Sequence, residues 1–221
     1  MKVLVSTIII STLMVLPASC DRQQLAEEVP GQTSSPVTED PPVVDRAIYI
    51  FIGGSHNGNF ASGYDSGRQG IDTRCADALN AVYSFLSPVA ISGMISFKND
   101  SLRNLVPTDH ADAKVYGITA SALESQLADS WTDLLDEGPL VNLGTALGLS
   151  DSWWTGSDTM GNTAADRCDS TLEDGNGWDV NLPEPPPYEG VVGSTTGLAG
   201  EWVSSSTANC SSSRFFLCVA Y

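Results

Sequence analysis

The stretch Arg214-Phe215-Phe216-Leu217-Cys218-Val219-Ala220-Tyr221 is a continuous apolar run with one cysteine inside it. Such a run predicts a buried β-strand. A second run of the same kind, Ala47-Ile48-Tyr49-Ile50-Phe51-Ile52, is followed by Gly53-Gly54, which predicts a turn. We expect the two strands to pair, so that they bring the two ends of one domain together.

Four of the five cysteines lie in the same part of the chain as these strands: Cys75, Cys168, Cys210 and Cys218. An even number of cysteines in an exported chain predicts two disulfides, and the residues alone leave three pairings open. A zinc site is the competing interpretation of several cysteines. It is disfavoured because the chain has no Cys-x-x-Cys pair, and because His56 and His110 lie far from the cysteines in sequence.

Two helices are expected between the strands. The apolar positions of residues 71–82 recur at helical spacing, which predicts an amphipathic helix that buries Cys75. Ser121-Ala122-Leu123-Glu124 has the form of a capping box, and apolar residues continue at helical spacing until Gly138-Pro139, which predicts a second helix. Short apolar pieces such as residues 94–97 predict one or two more strands.

Long loops make up much of the remainder. Glycines punctuate residues 53–70 without the spacing that phosphate binding needs, so we interpret this segment as a structural loop. The C-terminal third is rich in Gly, Asn, Ser and Pro, and loops of such composition are held in place by disulfides. Together with the expected strands and helices, these loops indicate an α+β fold class.

The N-terminal segment has the form of an export signal. An apolar run follows Met1-Lys2 and is too short to span a bilayer comfortably, and small residues precede Cys20. We interpret residues 1–19 as a lipoprotein-type signal peptide and Cys20 as the lipidated residue. Pro17 departs from the leucine usual at that place. The alternative is an ordinary signal peptide cleaved after Ala18, with Cys20 as a free thiol.

The segment after Cys20 predicts a tether. Residues 21–45 contain four prolines and no aromatic residue, so they bury too little apolar surface to offset their chain entropy. Residues 20–45 are therefore expected to be a lipidated N-terminus and a disordered tether, and residues 46–221 have the length of one domain.

The protein is strongly acidic, with a formal net charge of −17. Removal of residues 1–19 deletes one cation, Lys2, and leaves 9 basic against 27 acidic residues. Such a field repels nucleic acid and favours either solubility or a basic partner.

Candidate sites for chemistry are few. Asp109-His110-Ala111-Asp112 places a histidine between carboxylates, and we interpret it as a solvated loop rather than a metal or acid–base site. His56 is expected in a turn. Glu173, Asp174 and Asp179 could hold calcium in a loop, an interpretation that we do not favour. Trp153, Trp154 and Trp202 are either an aromatic binding platform or core residues, and we expect Trp202 and one of the pair in the core. The sequence predicts no catalytic residue, metal or cofactor.

Three segments together resemble the endostatin domain of the C-type-lectin-like superfamily. They are Gly70-Ile71-Asp72-Thr73-Arg74-Cys75 after the glycine-rich loop, Trp153-Trp154-Thr155-Gly156-Ser157-Asp158-Thr159-Met160-Gly161 ahead of Cys168, and Asn209-Cys210 leading to Leu217-Cys218-Val219. The resemblance covers nearly all of residues 47–221. It implies a mixed antiparallel sheet with two helices, long disulfide-tied loops, and nested pairing of Cys75 with Cys218 and of Cys168 with Cys210.

Some family properties do not transfer. The chain has no histidine-rich segment for zinc, and from residue 46 onward it has only 8 basic against 21 acidic residues for heparin. The Glu-Pro-Asn or Gln-Pro-Asp motif of calcium-dependent lectins is absent, and Pro183-Glu184-Pro185 is a poor substitute.

A lipoprotein signal before such a domain is similar to the leptospiral endostatin-like surface lipoproteins. That resemblance implies a monomeric, membrane-anchored, non-catalytic binding module of the bacterial envelope, adhesin-like, with an extracellular-matrix or other host protein, a complement regulator or a glycan as ligand. The alternative is a periplasmic or structural envelope protein, or an accessory subunit of an envelope hydrolase. Asp21, an inner-membrane retention signal in some bacteria, favours the periplasm.

Overall fold

Eight strands and three α-helices make up the part of the chain that the computed structural model describes, residues 46–169, 177–180 and 188–221. The strands are β1 Ala47–His56, β2 Ile91–Gly93, β3 Lys114–Ile118, β4 Glu124–Ala128, β5 Trp153–Trp154, β6 Glu189–Gly193, β7 Ser206–Asn209 and β8 Arg214–Ala220. The helices are α1 Gly67–Val82, α2 Trp131–Asp136 and α3 Leu143–Leu147, with 3₁₀ turns at Leu102–Asn104 and Gly200–Trp202. The residues of the predicted signal peptide and tether, including Cys20, lie outside the described ranges.

The strands form one mixed sheet, with β1 and β8 near its centre. Its order is β4-β3-β1-β8-β5-β6-β7, and β2 also pairs with β8. β1 and β8 pair antiparallel, with Ile50 opposite Val219 and Phe51 opposite Cys218, which confirms the predicted pairing. β1 with β3 and β5 with β8 are parallel, whereas the other pairs are antiparallel. The α+β class is therefore confirmed, with a mixed sheet.

The sheet separates two apolar cores. Successive side chains of a strand point to opposite faces, so Ile48 and Ile50 enter one core while Phe51 enters the other. Residues of α2 and α3 fill the first core, and Ile71 and Cys75 of α1 fill the second. Each large aliphatic or aromatic side chain that is fully buried contributes roughly 1.5–3 kcal/mol.

Helix α1 begins earlier than the sequence pattern indicates. The Ser66 hydroxyl caps it by accepting from the backbone N–H of Gln69, at 3.2 Å. Gly70 lies inside the helix, where a Cβ atom would stand 1.9 Å from the carbonyl oxygen of Phe60. The predicted glycine-rich loop therefore ends at Ser66, because close packing of the helix on the chain requires glycines within its first turn.

The second predicted helix is wrong over its first half. Ala122 has a φ of 58°, and the following residues form β4, which pairs with β3. The helix begins only at Trp131, capped by Ser130. A third helix, α3, was not predicted; the side chain of Asn142 caps its start. The described part therefore has three helices instead of two.

One of the one or two strands expected between Val89 and Val106 forms, slightly before residues 94–97. The strand that forms is β2, Ile91–Gly93, which pairs with β8. Phe97 makes only an isolated bridge with Asp100.

Two buried disulfides join distant parts of the fold, as the cysteine count predicts. Cys75 of α1 bonds Cys218 of β8, and Cys168 bonds Cys210. This pairing is the nested one that the endostatin resemblance implies. All four cysteines have 0% exposure. Among the described residues, no helix is long and apolar enough to cross a membrane.

Candidate functional site

Two adjoining surface cavities lie at the start of β1. The first has a volume of about 460 Å³ and the second about 370 Å³. Both are lined by Arg46, Ala47 and Tyr49, so we treat them as one feature and call it the trough. The other residues of the first cavity are Leu86, Ser87, Pro88, Val89, His110 and Tyr221. Those of the second are Asp112, Ala113, Lys114, Tyr116 and Glu124.

The parallel pairing of β1 with β3 builds the polar half of the trough. Tyr49 and Tyr116 are register partners on neighbouring strands, and their ring centroids are 6.0 Å apart. Glu124 opens β4, which pairs with β3, and its carboxylate is near enough to the Tyr49 hydroxyl to add to the rise of the tyrosine's pKa that burial causes. Two aromatic rings and a carboxylate thus meet on one face of the sheet.

The segment after α1 builds the apolar half. The backbone N–H groups of Val89 and Ala90 donate to the carbonyl oxygen of Tyr221, at 2.8 and 3.0 Å. These bonds hold the segment next to Tyr221, and Leu86 and Val89 line the same cavity as that tyrosine. Val89 is 88% exposed, so an apolar side chain projects from the rim of the trough. Phe85, one residue before the lining segment, is 48% exposed.

His110 lies against the wall of the apolar half. Its ring centroid is 5.3 Å from that of Tyr221, and its side chain is 17% exposed. The prediction that residues 109–112 form a fully solvated loop is therefore wrong for His110, because the aromatic contact covers the imidazole. Nδ1 lies 3.1 Å from Oδ1 of Asp109, and the Arg46 guanidinium donates to the Asp109 carbonyl oxygen at 2.8 Å.

Burial and charge shift several pKa values here. Desolvation raises the pKa of Tyr49, and the Glu124 carboxylate adds to the effect. Desolvation also raises the pKa of Tyr221, followed by the charge of Asp109. Interaction with the His110 side chain, whose Nδ1 lies 3.1 Å from Oδ1, lowers the pKa of Asp109. Tyr49 and Tyr221 are therefore neutral hydroxyl-bearing rings at neutral pH.

The trough brings a serine and a histidine into one cavity. Ser87 lines the same cavity as His110, but no hydrogen bond joins the two side chains among the residues that the structure describes. A serine nucleophile needs such a bond to its base. What the arrangement provides is apolar surface, tyrosine faces and charged groups of both signs.

The tryptophans do not form a binding platform. Trp153, Trp154 and Trp202 all have 0% exposure. The indole N–H of Trp153 donates to the Trp202 carbonyl oxygen at 3.1 Å, and that of Trp154 to the His56 carbonyl oxygen at 2.8 Å. The expectation that Trp202 lies in the core is confirmed. One of Trp153 and Trp154 was expected there as well, and both are buried.

His56 is the last residue of β1 rather than a turn residue. Its ring stacks on Phe60 with centroids 4.9 Å apart. The Arg74 guanidinium donates to Nε2 at 3.2 Å, so Nε2 is an acceptor and Nδ1 carries the proton that it donates to the Asn57 carbonyl oxygen, at 2.8 Å. Arg74 and His56 therefore lock α1 to the end of β1.

In the described ranges, no cluster of three or more His, Cys, Asp or Glu side chains could hold a metal ion. Asp179, one of the three residues of the calcium hypothesis, forms a β-bridge with Asn59. Glu173 and Asp174 lie outside the described residues.

The structure thus defines an α+β domain with two buried disulfides and a surface trough at the start of β1. No protein-family model matches the chain, and no curated protein matches it significantly.

Proposed function

We propose that this protein is a non-catalytic binding module, held at the bacterial cell envelope by a lipid on Cys20, whose domain belongs to the endostatin-like branch of the C-type-lectin-like fold. Its ligand is a protein or glycan outside the protein's own membrane, and the ligand docks on the trough. The resemblance of three segments to the endostatin domain and the nested disulfide pairing support the finer fold assignment.

One observation carries the binding function, namely the exposed apolar rim of the trough. Val89 lines the trough and is 88% exposed. Val82 and Phe85, which precede it in the same segment of chain, are 45% and 48% exposed. Neighbouring exposed apolar groups mark interaction sites, whereas singly scattered ones need no explanation. Elsewhere in the described residues, the large exposed apolar side chains are far apart in sequence: Leu123, Leu140, Met160 and Leu198.

A binding screen tests this function. The full-length oxidised protein is presented to extracellular-matrix proteins, complement regulators and glycans, and the same protein reduced and alkylated is the control. We expect saturable binding that reduction abolishes, because Cys75–Cys218 joins α1 to β8, and the segments that follow these two elements line the trough. Absence of binding to every member of the screen would contradict the proposal.

The anchor and its membrane face need separate measurements. We expect radioactive palmitate to label the wild-type protein and not the Cys20→Ser variant. Protease treatment of intact cells is expected to release a surface-exposed domain, whereas a domain that resists cleavage until the envelope is opened favours the periplasmic alternative.

A further inference from the structure

We propose that the trough binds an extended peptide segment of a partner protein, in which a bulky apolar side chain stands within a few residues of a lysine or arginine. The inference rests on the proposed binding function and names the chemistry of the ligand.

The apolar half of the trough fits a hydrocarbon side chain. Its walls include Leu86, Pro88, Val89 and Ala47, which present aliphatic carbon. The polar residues of the same cavity, Arg46, Ser87 and His110 among them, leave this aliphatic patch as the place where a hydrocarbon side chain is buried without loss of a hydrogen bond. The volume of about 460 Å³ lies in the range of sites that enclose most of a small ligand. An apolar side chain that enters this cavity also covers the exposed Val89.

The polar half fits a cation. The rings of Tyr49 and Tyr116 lie 6.0 Å apart, and a lysine or arginine is attracted to the face of a tyrosine ring. Glu124 and Asp112 line the same cavity. Neither carboxylate forms an ion pair with any residue that the structure describes, so both remain open to a charge-assisted hydrogen bond.

Two cationic side chains of the domain line the same cavity. The net charge of the whole domain, rather than the charge at the cavity, therefore determines whether a basic or an acidic ligand is attracted. Arg46 and Lys114 line the polar half, so the local charge is close to balanced. The Arg46 guanidinium is already engaged by the Asp109 carbonyl oxygen. From residue 46 onward the domain has 21 acidic against 8 basic residues, and such an excess attracts a basic segment.

The continuity of the trough favours one chain that serves both halves. Arg46, Ala47 and Tyr49 belong to both cavities, so an occupant of the first reaches the second without leaving the surface. An extended peptide advances about 3.3 Å per residue, so a separation of a few residues between the two side chains matches adjoining cavities.

Selection from random peptides displayed on phage, with the full-length oxidised protein as bait, tests the inference. The selected sequences are expected to place an aromatic or branched aliphatic residue near a lysine or arginine. Synthetic copies are then titrated by fluorescence anisotropy. Val89→Asp and the double variant Asp112→Asn with Glu124→Gln are each expected to raise the Kd about tenfold or more, the size of a hot-spot loss.

Matched variants outside the trough control for charge and folding. Leu140→Asp changes an apolar side chain that is 65% exposed and lines neither cavity, and Glu137→Gln neutralises an acidic residue elsewhere. Both are expected to leave the Kd unchanged. Replacing the lysine or arginine of the selected peptide by glutamate is expected to abolish binding.

Several results would overturn the inference. They are acidic selected sequences, no selected peptide, or binding that Val89→Asp leaves intact. A glycan whose binding is lost in the trough variants overturns the peptide ligand and leaves the proposed binding function standing. Failure of the protein and glycan screen as well removes both proposals.

Discussion

Arg68, in the first turn of α1, holds β2 and the residues that follow it against the helix. Its Nη1 donates to the Gly93 carbonyl oxygen and its Nη2 to that of Ile95, both at 2.7 Å. Nε lies 2.8 Å from Oδ2 of Asp100, and the guanidinium stands 4.4 Å from the centroid of the Phe97 ring. The carbonyl groups would lose charge-assisted partners if the guanidinium were removed.

Arg68→Ala is therefore expected to lower the free energy of unfolding by roughly 2–3 kcal/mol, the scale of lost hydrogen bonds to a charged group. Chemical denaturation measures the change. Arg68→Lys keeps the charge but not the planar fork that reaches two carbonyls at once, so it is expected to recover only part of the loss. Equal stability of Arg68→Ala and wild type would show that the contacts are energetically idle.

His56 makes stability depend on pH. Burial lowers its pKa from the ordinary value of 6.5, the charge of Arg74 acts in the same direction, and the bond to Asn57 opposes them. The unfolded chain therefore binds a proton where the folded protein does not. The resulting contribution is complete above about pH 6.5 and is lost as the pH falls through the lower folded pKa.

The free energy of unfolding is expected to fall with decreasing pH in this window, and His56→Gln is expected to flatten the slope. Denaturation curves recorded at a series of pH values supply the comparison. If His56→Gln lowers the free energy of unfolding by the same amount at every pH, the variant has lost packing and the pH slope has not changed. Identical slopes in wild type and variant would exclude His56 as the titrating group.

At the scale of elements, the sequence predicted the two long strands β1 and β8 more securely than the short strands or the helix boundaries. β1 and β8 are continuous apolar runs, and such runs have one favourable place, the interior of a sheet. Leu123 and Leu127 also match a helical spacing, yet Glu124–Ala128 form β4, because pairing with β3 outweighs a weak local preference. Ala122, with its positive φ, makes the turn that lets β3 and β4 run antiparallel.

The cap of α2 gives a test of this element. The Ser130 hydroxyl accepts from the Asp133 backbone N–H at 3.0 Å, whereas the Ser121 hydroxyl lies in an exposed turn, 3.1 Å from that of Thr119. Ser130→Ala is expected to cost about 1 kcal/mol of stability because an N-cap bond is lost. Ser121→Ala, the matched control, is expected to stay within about 0.5 kcal/mol of wild type. If thermal or urea unfolding showed a larger loss of stability for Ser121→Ala than for Ser130→Ala, the capping box predicted at Ser121 would be supported instead.

At the scale of the whole molecule, the trough could not be predicted from local patterns. Its residues come from the start of β1, the segment after α1, the loop before β3 and the end of β8, and only the sheet topology brings them together. His110 was singled out as a histidine between carboxylates, but its contact with Tyr221 spans more than a hundred residues. One local feature of the sequence does point to the trough. In residues 82–89, apolar residues continue past the end of α1 into the segment that lines the cavity.

The two disulfides constrain the whole chain unequally. Cys75–Cys218 closes 143 residues and Cys168–Cys210 closes 42, for which the loop-entropy relation gives upper figures of about 5 and about 4 kcal/mol. The longer crosslink also joins α1 to the central strand β8, whereas the shorter one acts within the C-terminal half. Because all four sulfur atoms are buried, replacement by alanine leaves cavities of similar kind in both cases.

Cys75→Ala with Cys218→Ala is therefore expected to destabilise the protein more than Cys168→Ala with Cys210→Ala, by about 1 kcal/mol. Guanidinium denaturation of the two double variants, each with its other disulfide verified by thiol titration, makes the comparison. The binding screen repeated on both variants separates stability from function. The trough lies beside the Cys75–Cys218 end of the sheet, so a folded double variant of the other pair is expected to retain ligand. If the Cys168–Cys210 variant proves the less stable of the two, local order around that disulfide, rather than chain entropy, governs the stability of the fold.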